Sequence, residues 1–144
     1  MTTCTAAIKN WEAANPDSSP EEAEWVKLYC QMPPIQKMDS SLIGLKNCER
    51  LSLSTNSIDR MISLGGMTKL KILSLGRNQI KKIEKLEDIA GSLEELWMSY
   101  NLISTLDGLS ACTNLRTLYL SNNLIKSWAE LDKIVSFTLA EYYS

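Results

Sequence analysis

Four copies of the segment Leu-x-x-Leu-x-Leu-x-x-Asn-x-Ile, spaced 22 or 23 residues apart, predict an α/β fold. Specifically, they predict a leucine-rich-repeat solenoid with a parallel concave β-sheet, short helical or 3₁₀ turns on the convex side and an N-terminal helical cap. The copies run through Cys48/Leu51/Leu53/Asn56/Ile58, Leu70/Leu73/Leu75/Asn78/Ile80, Leu93/Leu96/Met98/Asn101/Ile103 and Leu115/Leu118/Leu120/Asn123/Ile125. Two further patterns support the prediction: a period-two alternation inside each Leu-x-Leu, and an apolar residue at about every third position after each Asn.

Taken in chain order, residues 5–14 set Ile8 and Trp11 three apart among helix formers, and Asn15-Pro16-Asp17 ends that helix. Ser19-Pro20-Glu21-Glu22 has the pattern of an N-cap, an N1 proline and first-turn acids. It predicts a second helix through about Cys30 that carries Trp25, Val26, Leu28 and Tyr29 and stops at Pro33-Pro34. Together 1–34 form the expected cap, because an open solenoid end exposes an apolar rung and an unpaired strand edge. Ile35, Met38, Leu42 and Leu45 make 35–47 a degenerate first turn.

The alternation places strands at about 51–53, 73–75, 96–98 and 118–120, with the leucines inward. Ile58, Met61, Leu64, Met67 and Leu70, and likewise Ile103, Leu106, Leu109, Cys112 and Leu115, have the three-residue spacing of turns that return along the convex side. These side chains are expected in the core. Asn56, Asn78, Asn101 and Asn123 form a structural ladder, since an amide can both donate to and accept from backbone left unpaired where the chain leaves a strand. The repeats thus cover 35–134. In 135–144 the pattern breaks down: Phe137, Leu139, Tyr142 and Tyr143 fit an incomplete or truncated rung without its Asn. The expectation is that 136–144 is poorly ordered or lies in a contact, with self-association or a partner at this uncapped C-terminal end.

A length of 144 residues suits one domain, and 44% hydrophobic with 22% charged residues is ordinary for a globular protein. A formal charge of −2 without a basic run disfavours nucleic acid as partner. Acidic residues near the start and the lack of a long apolar run point to an intracellular protein with no membrane partner. Cys4, Cys30, Cys48 and Cys112 have no metal-ligand spacing and no His beside them, so they are expected as small buried hydrophobes and no metal is expected. Without a His base, a Gly-rich phosphate loop or a nucleophile elbow, neither an enzyme nor a cofactor is expected.

Function is therefore sought on the concave face, where Ser52, Ser54, Ser74, Gly76, Glu95, Trp97, Ser99, Thr117, Tyr119 and Ser121 should project. Most are small and polar. Trp97 and Tyr119 stand out on adjacent strands, with Arg77 and Tyr100 near the strand ends, and such residues dominate protein interfaces. Lys81, Lys82 and Lys85 form a second candidate, a contact for tubulin or another acidic partner. Glu84, Glu87 and Asp88 nearby also fit an ordinary solvated edge.

Several intracellular families use a 22-residue repeat, including phosphatase-regulatory and RNA-splicing-associated adaptors, which form the alternative reading. The non-repeat letters are more selective. Met32-Pro33-Pro34-Ile35-Gln36-Lys37-Met38-Asp39, Leu73-Ser74-Leu75-Gly76-Arg77-Asn78, Leu93-Glu94-Glu95-Leu96-Trp97-Met98-Ser99-Tyr100-Asn101 and Leu118-Tyr119-Leu120-Ser121-Asn122-Asn123 resemble the axonemal outer-arm dynein light chain 1 family, across about 8–134. The resemblance implies a ciliary or flagellar protein of the axonemal cytoskeleton that binds an outer-arm dynein heavy chain at or near its microtubule-binding stalk tip. It also implies tuning of motor engagement, with tubulin as a further contact. The family's sheet-face pattern falls on Ser54, Arg77, Trp97, Tyr100, Tyr119 and Asn122. Trp128 also matches, but its place in the repeat assigns it to the core. Ser136–Ser144 departs from the family, which continues through a further repeat and a charged terminal helix.

Overall fold

A computed structural model describes residues 1–134 and, as a strand, 141–143. The elements are α1 (Cys4–Ala14), β1 (Trp25–Lys27), β2 (Arg50–Ser52), β3 (Ile72–Ser74), β4 (Glu95–Trp97), β5 (Thr117–Tyr119), α2 (Trp128–Asp132) and β6 (Glu141–Tyr143). The six strands pair in chain order, every pair parallel. Short 3₁₀ turns lie at Ser40–Gly44, Glu87–Ile89 and Asp107–Leu109 on the return path. Each strand begins one residue earlier than the alternation suggested. Its ladder nevertheless runs on past the strand, as when the N–H of Leu53 donates to Ser74 O and that of Leu75 to Trp97 O, both at 2.8 Å.

The core lies between the sheet and the return turns. Leu51, Leu53, Leu73, Leu75, Leu96, Met98 and Leu118 fill it from the sheet side, and Met61, Leu64, Met67, Leu106, Leu109 and Cys112 from the other. Parallel strands need these long crossovers, and stacking one rung on the next buries a continuous column of side chains. Adjacent turns come close enough that a Cβ on Gly108 would sit 1.8 Å from Ile83 O.

Four asparagines tie the rungs together. The amide of Asn101 donates to Leu75 O at 2.9 Å and Met98 O at 3.1 Å, and its oxygen accepts from the N–H of Ile80 at 3.0 Å. Asn78 bonds Leu53 O, Leu75 O and the Ile58 N–H in the same way, and Asn123 bonds Met98 O, Leu120 O and the Ile103 N–H. Asn56 reaches Leu28 O, Leu53 O and the Ile35 N–H, so its upstream neighbour is a rung too.

That rung corrects the expected second helix. Ser19 does cap one turn, accepting from the Glu22 N–H at 3.2 Å. The helix goes no further, because Val26 and Leu28, both fully buried, follow the Leu51/Leu53 alternation and Glu24 O accepts from the N–H groups of Glu49 and Arg50. Burial and sheet pairing outweigh the local helix signal. The N-terminal cap is therefore α1 followed by a strand. Thr3 caps α1, whose inner face is Cys4 and Ala7, fully buried, with Ile8 and Trp11 packed on the core. Asp39 joins it to the first 3₁₀ turn by accepting from the N–H groups of Cys4 at 3.2 Å and Ser41 at 2.9 Å.

Two other expectations change. Trp128 is not core but 83% exposed. Ser127 caps α2, Glu130 accepts from the Leu106 N–H at 2.9 Å, and Leu131 and Ile134 pack inward, so the helix turns Trp128 outward. Cys30 is exposed where the other three cysteines are buried, since it occupies the turn after β1 with φ of 51°. The order of 136–144, apart from β6, lies outside the described residues, as do any contacts of the side chains in 135–144.

Candidate interaction surface

The registers set the outward side chains in two rows across the sheet. One runs Trp25, Arg50, Ile72, Glu95, Thr117, and the other Lys27, Ser52, Ser74, Trp97, Tyr119. Trp97 and Tyr119 are thus direct neighbours, with ring centroids 4.8 Å apart and planes at 62°. An edge-to-face pair sets the positive rim of one ring against the negative face of the other. The Trp97 indole N–H also donates to Glu95 at 3.1 Å, which steadies the ring while leaving it 43% exposed.

The hydroxyls around this pair bond to one another: Ser121 donates to Ser99 at 3.0 Å, and Ser52 and Ser54 lie 3.2 Å apart. Ser54 therefore belongs to the polar floor. Arg77 and Tyr100 come together at the strand ends, the guanidinium 4.1 Å from the ring centroid. Both have positive φ, 53° and 60°, as do Cys30, Thr55 and Asn122, each one residue before the ladder position. This turn swings Arg77, Tyr100 and the exposed Asn122 onto the rim of the sheet.

Lys81, Lys82 and Lys85 stand apart from the aromatic pair, exposed on the stretch after β3. Lys82 is 4.0 Å from Glu84, and Lys81 and Lys85 are in no ion pair among the described residues. No group of three Cys, Asp or Glu residues is placed to hold a metal ion among the described residues.

The structure adds residues that the motif reading missed. Trp25, 52% exposed, lies on the concave face because β1 is a strand. Lys27 sits 4.0 Å and Arg50 5.4 Å from its ring centroid. Trp25 and Arg50, with Ser52, Ile72, Ser74 and Trp97, line a groove of about 300 Å³, and Lys27 reaches it through its contact with the Trp25 ring. Leu102 and Leu124, 38% and 49% exposed, occupy the position after the ladder Asn in adjacent rungs. The signal for these two was their column in the repeat.

Residues 92–133 match the family model of leucine-rich repeats in two copies. The chain folds as a leucine-rich-repeat solenoid. It is 62% identical over 120 residues to dynein axonemal light chain 1 of Chlamydomonas reinhardtii, covering 83% of this chain and 61% of that protein. It is 53% identical over 96 residues to dynein axonemal light chain 1 of Danio rerio, covering 67% of this chain and 50% of that one. This leucine-rich-repeat chain thus spans half to three fifths of the length of these relatives. Among solved structures it is similar to a leucine-rich-repeat protein of Leptospira interrogans, with TM-score 0.63 and 28% identity, over 76% of this chain and 29% of that one.

Proposed function

We propose that the chain is a non-catalytic light chain of ciliary or flagellar outer-arm dynein. It binds the heavy chain at or near the microtubule-binding stalk tip through its concave face and tunes engagement of the motor with the microtubule. The observation that carries this is the Trp97–Tyr119 pair, with Trp97 exposed and Tyr119 partly buried beside it, set on a floor of small hydroxyls and flanked by Arg77 and Tyr100. Half-exposed aromatics on a rigid sheet already hold their rotamers, so little ordering entropy is lost when a partner covers them. The identity to dynein axonemal light chains supports the choice of partner.

Binding to a purified stalk-tip fragment tests this by calorimetry. Trp97→Ala should weaken it by at least about 2 kcal/mol, the usual cost of removing a central aromatic. A change of only a few-fold would overturn the concave-face mechanism. Lys81, Lys82 and Lys85 supply a separate contact to tubulin, off the sheet face.

A further inference from the structure

We infer that the groove between Trp25 and Trp97 is shaped and charged for a single amphipathic helix, with an apolar stripe toward the serine floor and carboxylates toward β1 and β2. This deepens the concave-face reading above by naming the chemistry of the bound segment.

The width comes first. Trp25 is on β1 and Trp97 on β4, three strand spacings apart, about 14 Å between backbones. Between them the rows hold Ser52 and Ser74, with Ile72 as the one bulky apolar side chain. A helix with its side chains is about 10–12 Å across and fills such a trough. An extended strand would leave much of it empty, and no sheet edge is available on the floor for it to pair with.

Charge then orients the occupant. The ammonium of Lys27 and the guanidinium of Arg50 both lie over the Trp25 ring, and neither is in an ion pair among the described residues. The neighbouring acids do not neutralise them: among the described residues neither Glu24 nor Glu49 is in an ion pair with either cation, and Glu49 is taken by Lys71 at 3.3 Å. At the far wall the one acid, Glu95, accepts from the Trp97 indole. The trough therefore has a cationic wall at β1–β2 and a weakly acidic one at β4. A helix with acids on one flank matches it in a single orientation, and complementary charge of this kind sets register and speeds encounter.

The test uses the full chain and two probes. The first is a stapled amphipathic helical peptide with a leucine stripe flanked by glutamates, compared with the same peptide carrying lysines instead; the second is the heavy-chain stalk-tip fragment. The glutamate peptide should bind more tightly by at least about tenfold, with a strong salt dependence. Lys27→Glu combined with Arg50→Glu should reverse the preference, and circular dichroism checks that this exposed double variant stays folded. Equal binding of both peptides, no binding of either, or indifference to the charge reversal would overturn the inference. If the glutamate peptide binds as described but the stalk-tip fragment does not, the groove reading stands and the dynein reading falls. If the fragment binds and responds to Trp97→Ala while the peptides and the double variant show no effect, the reverse holds.

Discussion

Each ladder asparagine serves two rungs at once, and for that reason its removal should be felt beyond its own turn. Asn101 is 5% exposed and satisfies two carbonyls and one N–H across the stack. Asn101→Ala strands these groups away from water, and the expected loss is about 1–3 kcal/mol in urea denaturation. An unchanged midpoint would remove the ladder as a stabilising device. The four thiols make a second prediction at this scale. Burial pushes Cys4, Cys48 and Cys112 each up to about 11, Cys48 and Cys4 being tempered by hydrogen bonds with backbone. At neutral pH a thiol reagent should modify one residue in the folded chain, the exposed Cys30, and all four after unfolding. Raised folded values also mean that these thiols contribute stability below about 9 that is lost as pH rises toward 11. Alkaline denaturation should therefore be less steep when the three buried cysteines are replaced by alanine. The role of the asparagines was legible in the sequence because an amide at a strand exit has one obvious use. The left-handed residue before each was not, since Cys30, Thr55, Arg77 and Tyr100 are residue types that seldom adopt positive φ.

At the scale of the element, the repeat was readable wherever its letters were intact and failed where one was replaced. β1 lacks the ladder Asn, with Gln31 in that place, and Ser19-Pro20-Glu21-Glu22 carries a strong helix-start pattern just before it. The local signal therefore pointed to a helix, and only pairing with β2 shows Trp25 to be a surface residue. Trp128 failed for a related reason: α2 replaces the usual three-residue turn, and its rotation depends on the Glu130 bond to Leu106, which no periodicity reports. The spacing between turns is similarly invisible in sequence but sharply testable. Ala at Gly108 would drive its Cβ into Ile83 O, whereas a methyl group at Gly91 would meet nothing within 4 Å. Gly108→Ala should lower stability by about 1–3 kcal/mol or more, the range for forcing extra atoms into a packed site. Gly91→Ala should be neutral or raise it by up to about 1 kcal/mol through the unfolded chain. Equal thermal shifts for the two would mean that adjacent turns are not in the close contact described.

For the whole molecule, the solenoid separates its two candidate surfaces. The aromatic face lies on the sheet, while Lys81, Lys82 and Lys85 lie on the stretch that leaves β3 and leads to the turn at Glu87–Ile89. Because β3 is held on both sides by β2 and β4, a partner filling the concave face has no need to displace that stretch. The formal charge of −2 sets a further condition: attraction to an acidic surface must come from a local cluster, and it should weaken steeply with salt over a Debye length of about 8–10 Å. The prediction is a clean separation of the two activities. Replacing Lys81, Lys82 and Lys85 together by glutamate should abolish co-sedimentation with microtubules at low salt and leave affinity for the stalk-tip fragment within a few-fold. Trp97→Ala should do the opposite. If the triple variant pellets with microtubules as the unaltered chain does, tubulin contact through these lysines is wrong, and the mixed acidic residues Glu84, Glu87 and Asp88 make the stretch an ordinary solvated edge.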